Sequence, residues 1–507
     1  MKIFKYNLEI SVFICGAIVM IFELVGSRIL GPYFGTSIFV WTSLIGIILG
    51  SLSLGYFIGG KISDSAPRAD ALSLIIFLSA IFIIFTTFSK DCLLVFLLKN
   101  ILDTRASSTV ASLILFSPAS ILLGMVSPYA AKLKLNNLSA SGSTIGNLYA
   151  ISTLGSITGT FLSGFYLIPH FGTNKLLIIL FTTLTTVSFL LSAKKILKIK
   201  LPIFLALFVS WIIFNQTNSG FNKIGNNFID IDTAYNRIWI YDRLDPATNK
   251  LVKIMGINNE NHSSMFLESD ELVNEYANFY HLAKHFNPNF KTALMIGGAG
   301  YSYPRDFLVK HPKATIDVVE IDPMITELAK KYFRLKENPR LAIYHEDGRV
   351  YLNKTKKKYD VIFGDAFNSR YSLPYQLTTK EAVQKKFNIL NKDGVVILNI
   401  ISAINGKKGE FLRAEYATYK SVFPQVFLFQ VLDPLYLFQE KDARAEGSEA
   451  QNIILIALKS KEKPKFNSAN PVLNSYLQRL WKKEIDTDIP ILTDDFAPVD
   501  YYINEII

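Results

Sequence analysis

The chain has 507 residues, half of them hydrophobic, with 53 Lys+Arg against 42 Asp+Glu and only two cysteines. That length accommodates two or three domains with a large soluble core, and a pair of cysteines in apolar stretches (Cys15 and Cys92) argues against a disulfide framework or a cysteine-based zinc site. Residues 1–219 hold 15 basic and 6 acidic side chains while the remaining 288 hold 38 and 36, so the basic excess belongs to membrane flanks and not to a nucleic-acid surface.

Apolar runs long enough to cross a bilayer occur near 8–30, 38–59, 71–89, 106–131, 145–168 and 175–193, and a shorter run at 201–214 is a seventh. Residues 91–102 are apolar but interrupted by Lys99, which predicts an interfacial or re-entrant segment. The first run has no small-residue cleavage site and further spans follow it, unlike a signal peptide. Gly46, Gly50, Gly55 and Gly59, then Gly155, Gly159 and Gly164, recur at intervals that let helix backbones approach closely in lipid. Glu23 and Arg28, five residues apart, are the ionisable pair within this half. Their plain reading is an interfacial pair, with Arg28 snorkelling and Glu23 satisfied by a neighbouring helix; the sharper one is a transport or substrate role. His170 reads as a surface residue. Basic residues fall in alternate loops and, with Lys2 and Lys5, place the N-terminus in the cytoplasm. Seven crossings would then put the soluble half outside, whereas a cytosolic nucleotide ligand argues for the cytoplasmic side.

After Asn215 the pattern changes. Arg237–Arg243, Leu251–Ile257 and Ser263–Leu267 alternate between turn residues and predict a small antiparallel sheet, followed by a helix over Glu271–Phe286. Strands at Thr292–Ile296, Thr315–Glu320, Leu341–Tyr344, Tyr359–Gly364 and Val395–Asn399 then alternate with helical stretches. The fold class is therefore a multi-pass α-helical membrane domain (1–215), a small β subdomain with a linking helix (216–290) and an α/β doubly wound, Rossmann-like domain of the methyltransferase type (291–507).

Within that last domain, LMIGGAGYS (294–302) leads to DVVEID (317–322), a strand, a glycine turn, a helix and a second strand closed by an acid. Glu320 stands 20 residues after Gly300, the distance at which an acid reaches the ribose of a nucleotide lying over the turn. Gly297, Gly298 and Gly300 allow a ligand close to the backbone. The pattern continues to Tyr303 where dinucleotide sites need a small residue, which favours an adenosine ligand without a pyrophosphate. Glu320, Asp322, Asp347 and Asp365 all lie at or beyond strand ends; each alone reads as a loop or capping acid, but together they follow the crevice this fold uses for ligands.

EDGRVYL (346–352), YDVIFGDAF (359–367), LTTKE (377–381) and GVVILN (394–399) resemble the spermidine synthase, or polyamine aminopropyltransferase, family over most of 236–400, and LTDDFAPVD (492–500) more loosely. FELVGSRILGPYFG (22–35), GYFIGGKISD (55–64) and GNLYAISTLGSITGTFLSGF (146–165) are similar to its membrane-fused branch. The resemblance implies an aminopropyl group moved from decarboxylated S-adenosylmethionine, or a reaction of S-adenosylmethionine itself, with a small amine as partner and no nucleic acid. It implies Glu320 on the ribose, Asp347 and Gly348 at the adenine, Gly297, Gly298, Gly300 and Asp322 around the nucleoside, and Asp365 as the catalytic acid. Substrate contacts fall on His262, Glu275, Tyr301, Asn368 and Gln376. No metal is required by this chemistry, and a homodimer is left open.

The departures from the family pattern concern the amine. Gly300 occupies the position of the turn's amine-binding aspartate, followed by Tyr301. Asp365-Ala366-Phe367-Asn368 replaces Asp-Ser-Ser-Asp, Asn274-Glu275-Tyr276 replaces the upstream Tyr-(His or Gln)-Glu triplet, and His262-Ser263 replaces Gln-Ser. Each lost charge-assisted contact is worth about 1.5–3 kcal/mol. Two other functions stay open: a methyltransferase-like enzyme acting on a membrane-delivered acceptor, against which the lack of an acid near Met295 counts, and a transporter or sensor regulated by its nucleoside domain.

Overall fold

The computed structural model describes residues 6–65, 67–101, 103–135, 141–217, 226–258, 260–366, 373–431, 444 and 446–504. Two compact units result, one of residues 1–222 with 230–234 and one of 223–229 with 235–507. The large sheet belongs to the second, as does the small one apart from residues 230–232 of its first strand.

The first unit is helical. Its helices are α1 (Asn7–Phe34), α2 (Ile38–Ser65), α3 (Ala69–Asn100), α4 (Thr104–Leu115), α5 (Ser117–Lys134), α6 (Ser141–His170), α7 (Thr173–Leu191) and α8 (Lys194–Thr217). Six are long and apolar enough to cross a membrane; α4 and α5, bent by 52°, make a seventh if counted as one span. The interfacial segment expected at 91–102 is instead the last turns of a continuous 32-residue α3. Its charges are met inside the bundle: Lys90 pairs with Asp91 at 3.1 Å, and the Tyr33 hydroxyl of α1 donates to Asp91 at 2.6 Å. Gly155 and Gly159 lie against the α1 backbone at Phe13 and Ala17, where any Cβ would collide. Gly55 and Gly59 meet α5 in the same way, as close helix packing in lipid requires, whereas Gly46, Gly50 and Gly164 face nothing within 4 Å among the described residues. Arg28 donates to the Thr233 carbonyl at 2.7 Å. Glu23 is buried in α1 and, contrary to the plain reading, has no hydrogen-bond partner among the described residues.

The second unit begins with an antiparallel sheet in the order β1 (Asn226–Asp232), β2 (Arg237–Leu244), β3 (Leu251–Ile257), β4 (Glu260–Phe266). The helix expected over 271–286 starts only at Glu275 and runs as three short turns, the middle one 3-10. The large sheet comprises β5 (Thr292–Ile296), β6 (Thr315–Val319), β7 (Leu341–Tyr344), β8 (Tyr359–Gly364), β9 (Leu390–Ser402), β10 (Gln425–Val431) and β11 (Gln451–Leu458). Their spatial order is β10-β11-β9-β8-β5-β6-β7. β5 to β9 run parallel, and β11 and β10 close one side antiparallel. The helices that matter for the site are α9 (Ser302–Lys310), α10 (Pro323–Tyr332), α11 (Gly348–Lys354), α12 (Lys380–Ile389) and α13 (Glu410–Lys420). The chain proceeds from β5 to β6 and β7 on one side, then returns to place β8 on the other. That reversal opens a crevice beyond the carboxyl ends of β5 and β8, where such sheets hold ligands.

Candidate active site

Two connected hollows occupy this crevice. The smaller, about 110 Å³, is lined by Ile296, Gly297, Glu320, Asp347, Gly348 and Gln376 among others. The larger, about 490 Å³, lies toward β2–β4 and includes His262, Asn274, Glu275, Tyr276, Asp365 and Asn399 in its walls. Gly297, Ala299, His262 and Asp365 border both.

The turn after β5 fixes the seam. Gly297 adopts φ +95°, and a Cβ there would meet the Asp365 carbonyl, so only glycine lets the β5 and β8 loops touch. Ala299 and Tyr301 are also left-handed, at φ +42° and +55°, an uncommon state for residues with side chains. The N–H groups this turn exposes are collected by Glu320: Oε2 accepts from Gly298 at 2.9 Å and Ala299 at 3.2 Å, and Oε1 accepts from Asp322 at 3.0 Å. Burial raises the Glu320 pKa, and those three N–H groups oppose the rise. Asp347 caps α11 through the N–H groups of Arg349 and Val350, at 2.7 and 3.0 Å, while Gln376 approaches its other oxygen at 3.4 Å. The Gln376 wall is itself braced: Arg349 donates to the Gln376 carbonyl at 2.9 Å and the Thr379 hydroxyl at 3.0 Å, and pairs with Asp494 at 2.6 Å. Asp494 belongs to the LTDDFAPVD stretch that the sequence singles out.

Asp365 is the carboxylate shared by both hollows. Tyr276 donates to its Oδ2 at 3.0 Å, and the Asn399 amide approaches Oδ1 at 3.5 Å. Burial lifts its pKa to about 6, partly opposed by these donors. The Tyr276 hydroxyl is pushed well above its ordinary range by burial and by the facing carboxylate, so it remains a donor. His262 reaches the seam because of an irregularity in β3–β4. Met255 pairs with Ser263 but Gly256 with Asn261, leaving His262 without a partner in the ladder. Its Nε2 has no hydrogen-bond partner among the described residues, and burial lowers its pKa to about 4, so the imidazole is neutral near pH 7.

Of the expected site residues, Gly297, Gly298, Glu320, Asp347, Gly348, Asp365, His262, Glu275 and Gln376 line one hollow or the other. Asp322 does not. It is buried and caps α10, accepting from Met324 N at 3.1 Å, because the chain turns into that helix immediately after β6. Gly300 packs away from the cavity: a Cβ there would come within 2.6 Å of the Ser263 hydroxyl. Tyr301 is fully buried with its hydroxyl 2.7 Å from Thr326, since its left-handed backbone turns the ring beneath the turn. Glu275 lies in the larger hollow but is paired with Arg479 at 2.5 Å. Asn368 falls outside the described residues. Two wall residues escape the sequence reading. Tyr276 stands in the triplet already noted for Glu275, and Asn399 is the only polar side chain in the apolar run VVILNII (395–401) that ends β9.

Residues 275–441 match the spermine/spermidine synthase domain family. A polyamine aminopropyltransferase of Vibrio vulnificus is 33% identical over 149 residues, 29% of this chain and 48% of that protein. A probable polyamine aminopropyl transferase of Bifidobacterium longum is 28% identical over 314 residues, 58% and 68% of the two chains. The chain thus spans about half the length of the first of these relatives. Among solved structures, a probable spermidine synthase from Corynebacterium glutamicum aligns with a TM-score of 0.40 at 21% identity, over 51% of this chain and 87% of that one.

Proposed function

We propose that this chain, which carries a spermidine synthase-like domain, is a membrane-anchored aminopropyltransferase. It moves the aminopropyl group of decarboxylated S-adenosylmethionine to an amine such as putrescine. The observation that carries the reading is Asp365: a buried carboxylate with a raised pKa, held by Tyr276 at the seam between the smaller hollow, which Glu320 and Asp347 line, and the larger one.

In this reading Glu320 takes the ribose hydroxyls on oxygens already oriented by the glycine turn, and Asp347 with Gly348 borders the adenine. The acceptor enters the larger hollow as an ammonium, because an alkylamine is mostly protonated near pH 7. Asp365 receives one proton from that nitrogen. The freed lone pair attacks the carbon bonded to the sulfonium, the C–S bond breaks, and its electron pair stays on sulfur, giving methylthioadenosine. A base with a pKa close to neutrality suits this step. Because the sulfonium is already an activated leaving group, the remaining contribution is proximity of the two reactants. The test is incubation of the full chain with decarboxylated S-adenosylmethionine and putrescine: methylthioadenosine should form, and its absence above an Asp365→Asn control would sink the proposal.

The apolar helices of the first unit support anchoring in a bilayer. Loop charges alternate consistently when α4 and α5 count as one crossing, so the side of the catalytic unit depends on α8. α8 as a whole is long and apolar enough to cross, but its uninterrupted apolar stretch, 201–214, is about 21 Å long at 1.5 Å per residue, short of the roughly 30 Å hydrocarbon core. α8 therefore lies along the interface in this proposal, leaving the catalytic unit cytoplasmic. In intact cells, Asn249→Cys in the β2–β3 hairpin should resist an impermeant thiol reagent; labelling would place the unit outside.

A further inference from the structure

A third hollow, about 60 Å³, lies behind the seam between β9, α12 and α13. Leu377, Leu398, Ile400 and Phe411 make it largely apolar. Its polar lining is Thr378, Lys386, Asn399 and Glu415. Two of these are committed elsewhere: Thr378 donates to the Tyr375 carbonyl at 2.7 Å, and Lys386 gives two of its three N–H groups to the Leu377 carbonyl at 3.1 Å and the Tyr419 hydroxyl at 2.6 Å. The other two are not. Asn399 Oδ1 and Glu415 Oε2 are both buried without a hydrogen-bond partner among the described residues. Two buried acceptors facing one small cavity call for a shared donor, and a space of this size exceeds the roughly 10–15 Å³ that one water molecule needs.

Asn399 connects this cavity to the chemistry. Its Nδ2 is the group directed at Asp365 Oδ1, so whatever holds Oδ1 of the amide sets the donor that Asp365 receives. We infer that Glu415 is a positioning residue for Asp365, acting through a cavity water and the Asn399 amide; the inference rests on the reading of Asp365 as the catalytic base. The groups facing Glu415 are Lys386 from α12, with Arg349 of α11 behind it, and Tyr419 one turn on in α13. Burial pushes the Glu415 carboxyl up and the Lys386 ammonium down, while each charge favours the other. Either protonation state of Glu415 keeps the cavity polar. An apolar side chain does not: the amide then loses its anchor, Asp365 loses a donor to its ionised form, and its pKa rises.

The test follows the titration of Asp365 in the full chain by isotope-edited infrared spectroscopy, with Asp365→Asn as the blank, beside kcat for methylthioadenosine release. Glu415→Gln, which still offers donor and acceptor, should titrate as the wild type does and keep kcat within about threefold. Glu415→Leu should move the midpoint up by about one pH unit and lower kcat about tenfold, with KM for the nucleoside unchanged. An unmoved midpoint in Glu415→Leu overturns the inference, because a pair that merely braces the core would not touch it. Should that variant fail to fold, Phe411→Trp fills the cavity and leaves Glu415 in place; the same upward shift is expected, and no shift is equally fatal. A wild type that shows no transfer but does show these shifts refutes the proposed reaction and leaves the coupling standing.

Discussion

The two hollows at the seam differ in how far their polar groups are already spoken for. In the nucleoside hollow Glu320 is held by three backbone N–H groups and Asp347 by two more. Its Gln376 wall is tied to the C-terminal stretch through Arg349 and Asp494. In the larger hollow His262 Nε2 and Glu275 Oε2 are buried without partners among the described residues. A site whose donors and acceptors are fixed before binding loses less entropy when the ligand arrives, so the first hollow is built for one ligand. The second keeps unsatisfied groups that its own ligand must meet. The sequence departs from the family pattern on the same side, at Gly300 and Asn368, which separates a preserved nucleoside half from an altered amine half.

Asp365→Asn should break the comparison at its hinge. It removes the base, and kcat should fall about 10³-fold with nucleoside affinity nearly intact, measured as methylthioadenosine release against calorimetric binding. The wild-type kcat/KM should also drop as pH falls through about 6, where the carboxyl takes up its proton. Glu320→Gln tests the fixed half. One charge-assisted contact with the turn and, in the proposed reading, with the ribose is lost, so nucleoside affinity should weaken about 10- to 100-fold, while acceptor KM at saturating nucleoside holds. An equal loss on both sides would dissolve the distinction between the hollows.

Gly300→Asp restores the residue type found in the family's turn, yet the structure opposes it. The new Cβ meets Ser263, so the variant should lose about 1–3 kcal/mol of stability in denaturant melts without gaining affinity for putrescine. Tighter putrescine binding would mean the turn can repack into an amine site. The smallest effect concerns stability. The Asp365 pKa is raised in the fold, so the folded state holds its proton more tightly than the unfolded chain. The cost of the ionised form is therefore absent below about pH 4 and fully present above about pH 6. Asp365→Asn should accordingly stabilise the protein by about 1–2 kcal/mol at pH 8 and leave it unchanged at pH 4.

The parallel strands were legible because each is a short apolar run closed by a turn, and the acids at their ends follow from the fold's geometry. Edge elements were not. β1 reads as NNFIDID, too polar to announce itself, and β10 and β11 form a hairpin-like pair where alternation with helices suggested nothing further. Lys99 makes 91–102 look like an interfacial or re-entrant segment; Tyr33, far away in sequence, supplies the contact that keeps Asp91 inside a continuous α3. Within the site, strand-end acids could be found from spacing, whereas their sorting into ligand contacts and caps could not. Glu320 and Asp322 are two residues apart, and only the direction of the chain after β6 turns one to the cavity and the other into α10. Tyr276 and Asn399 become visible only once Asp365 has a place in space.

The claim that an adenosyl donor without a carboxylate occupies the seam beside Asp365 is tested most directly by calorimetric titration of the full chain with decarboxylated S-adenosylmethionine and with S-adenosylmethionine. The decarboxylated compound should bind at least about tenfold more tightly, because the extra carboxylate would have to sit near the ionised Asp365 in a buried site. Equal affinity, or a preference for S-adenosylmethionine itself, would contradict it.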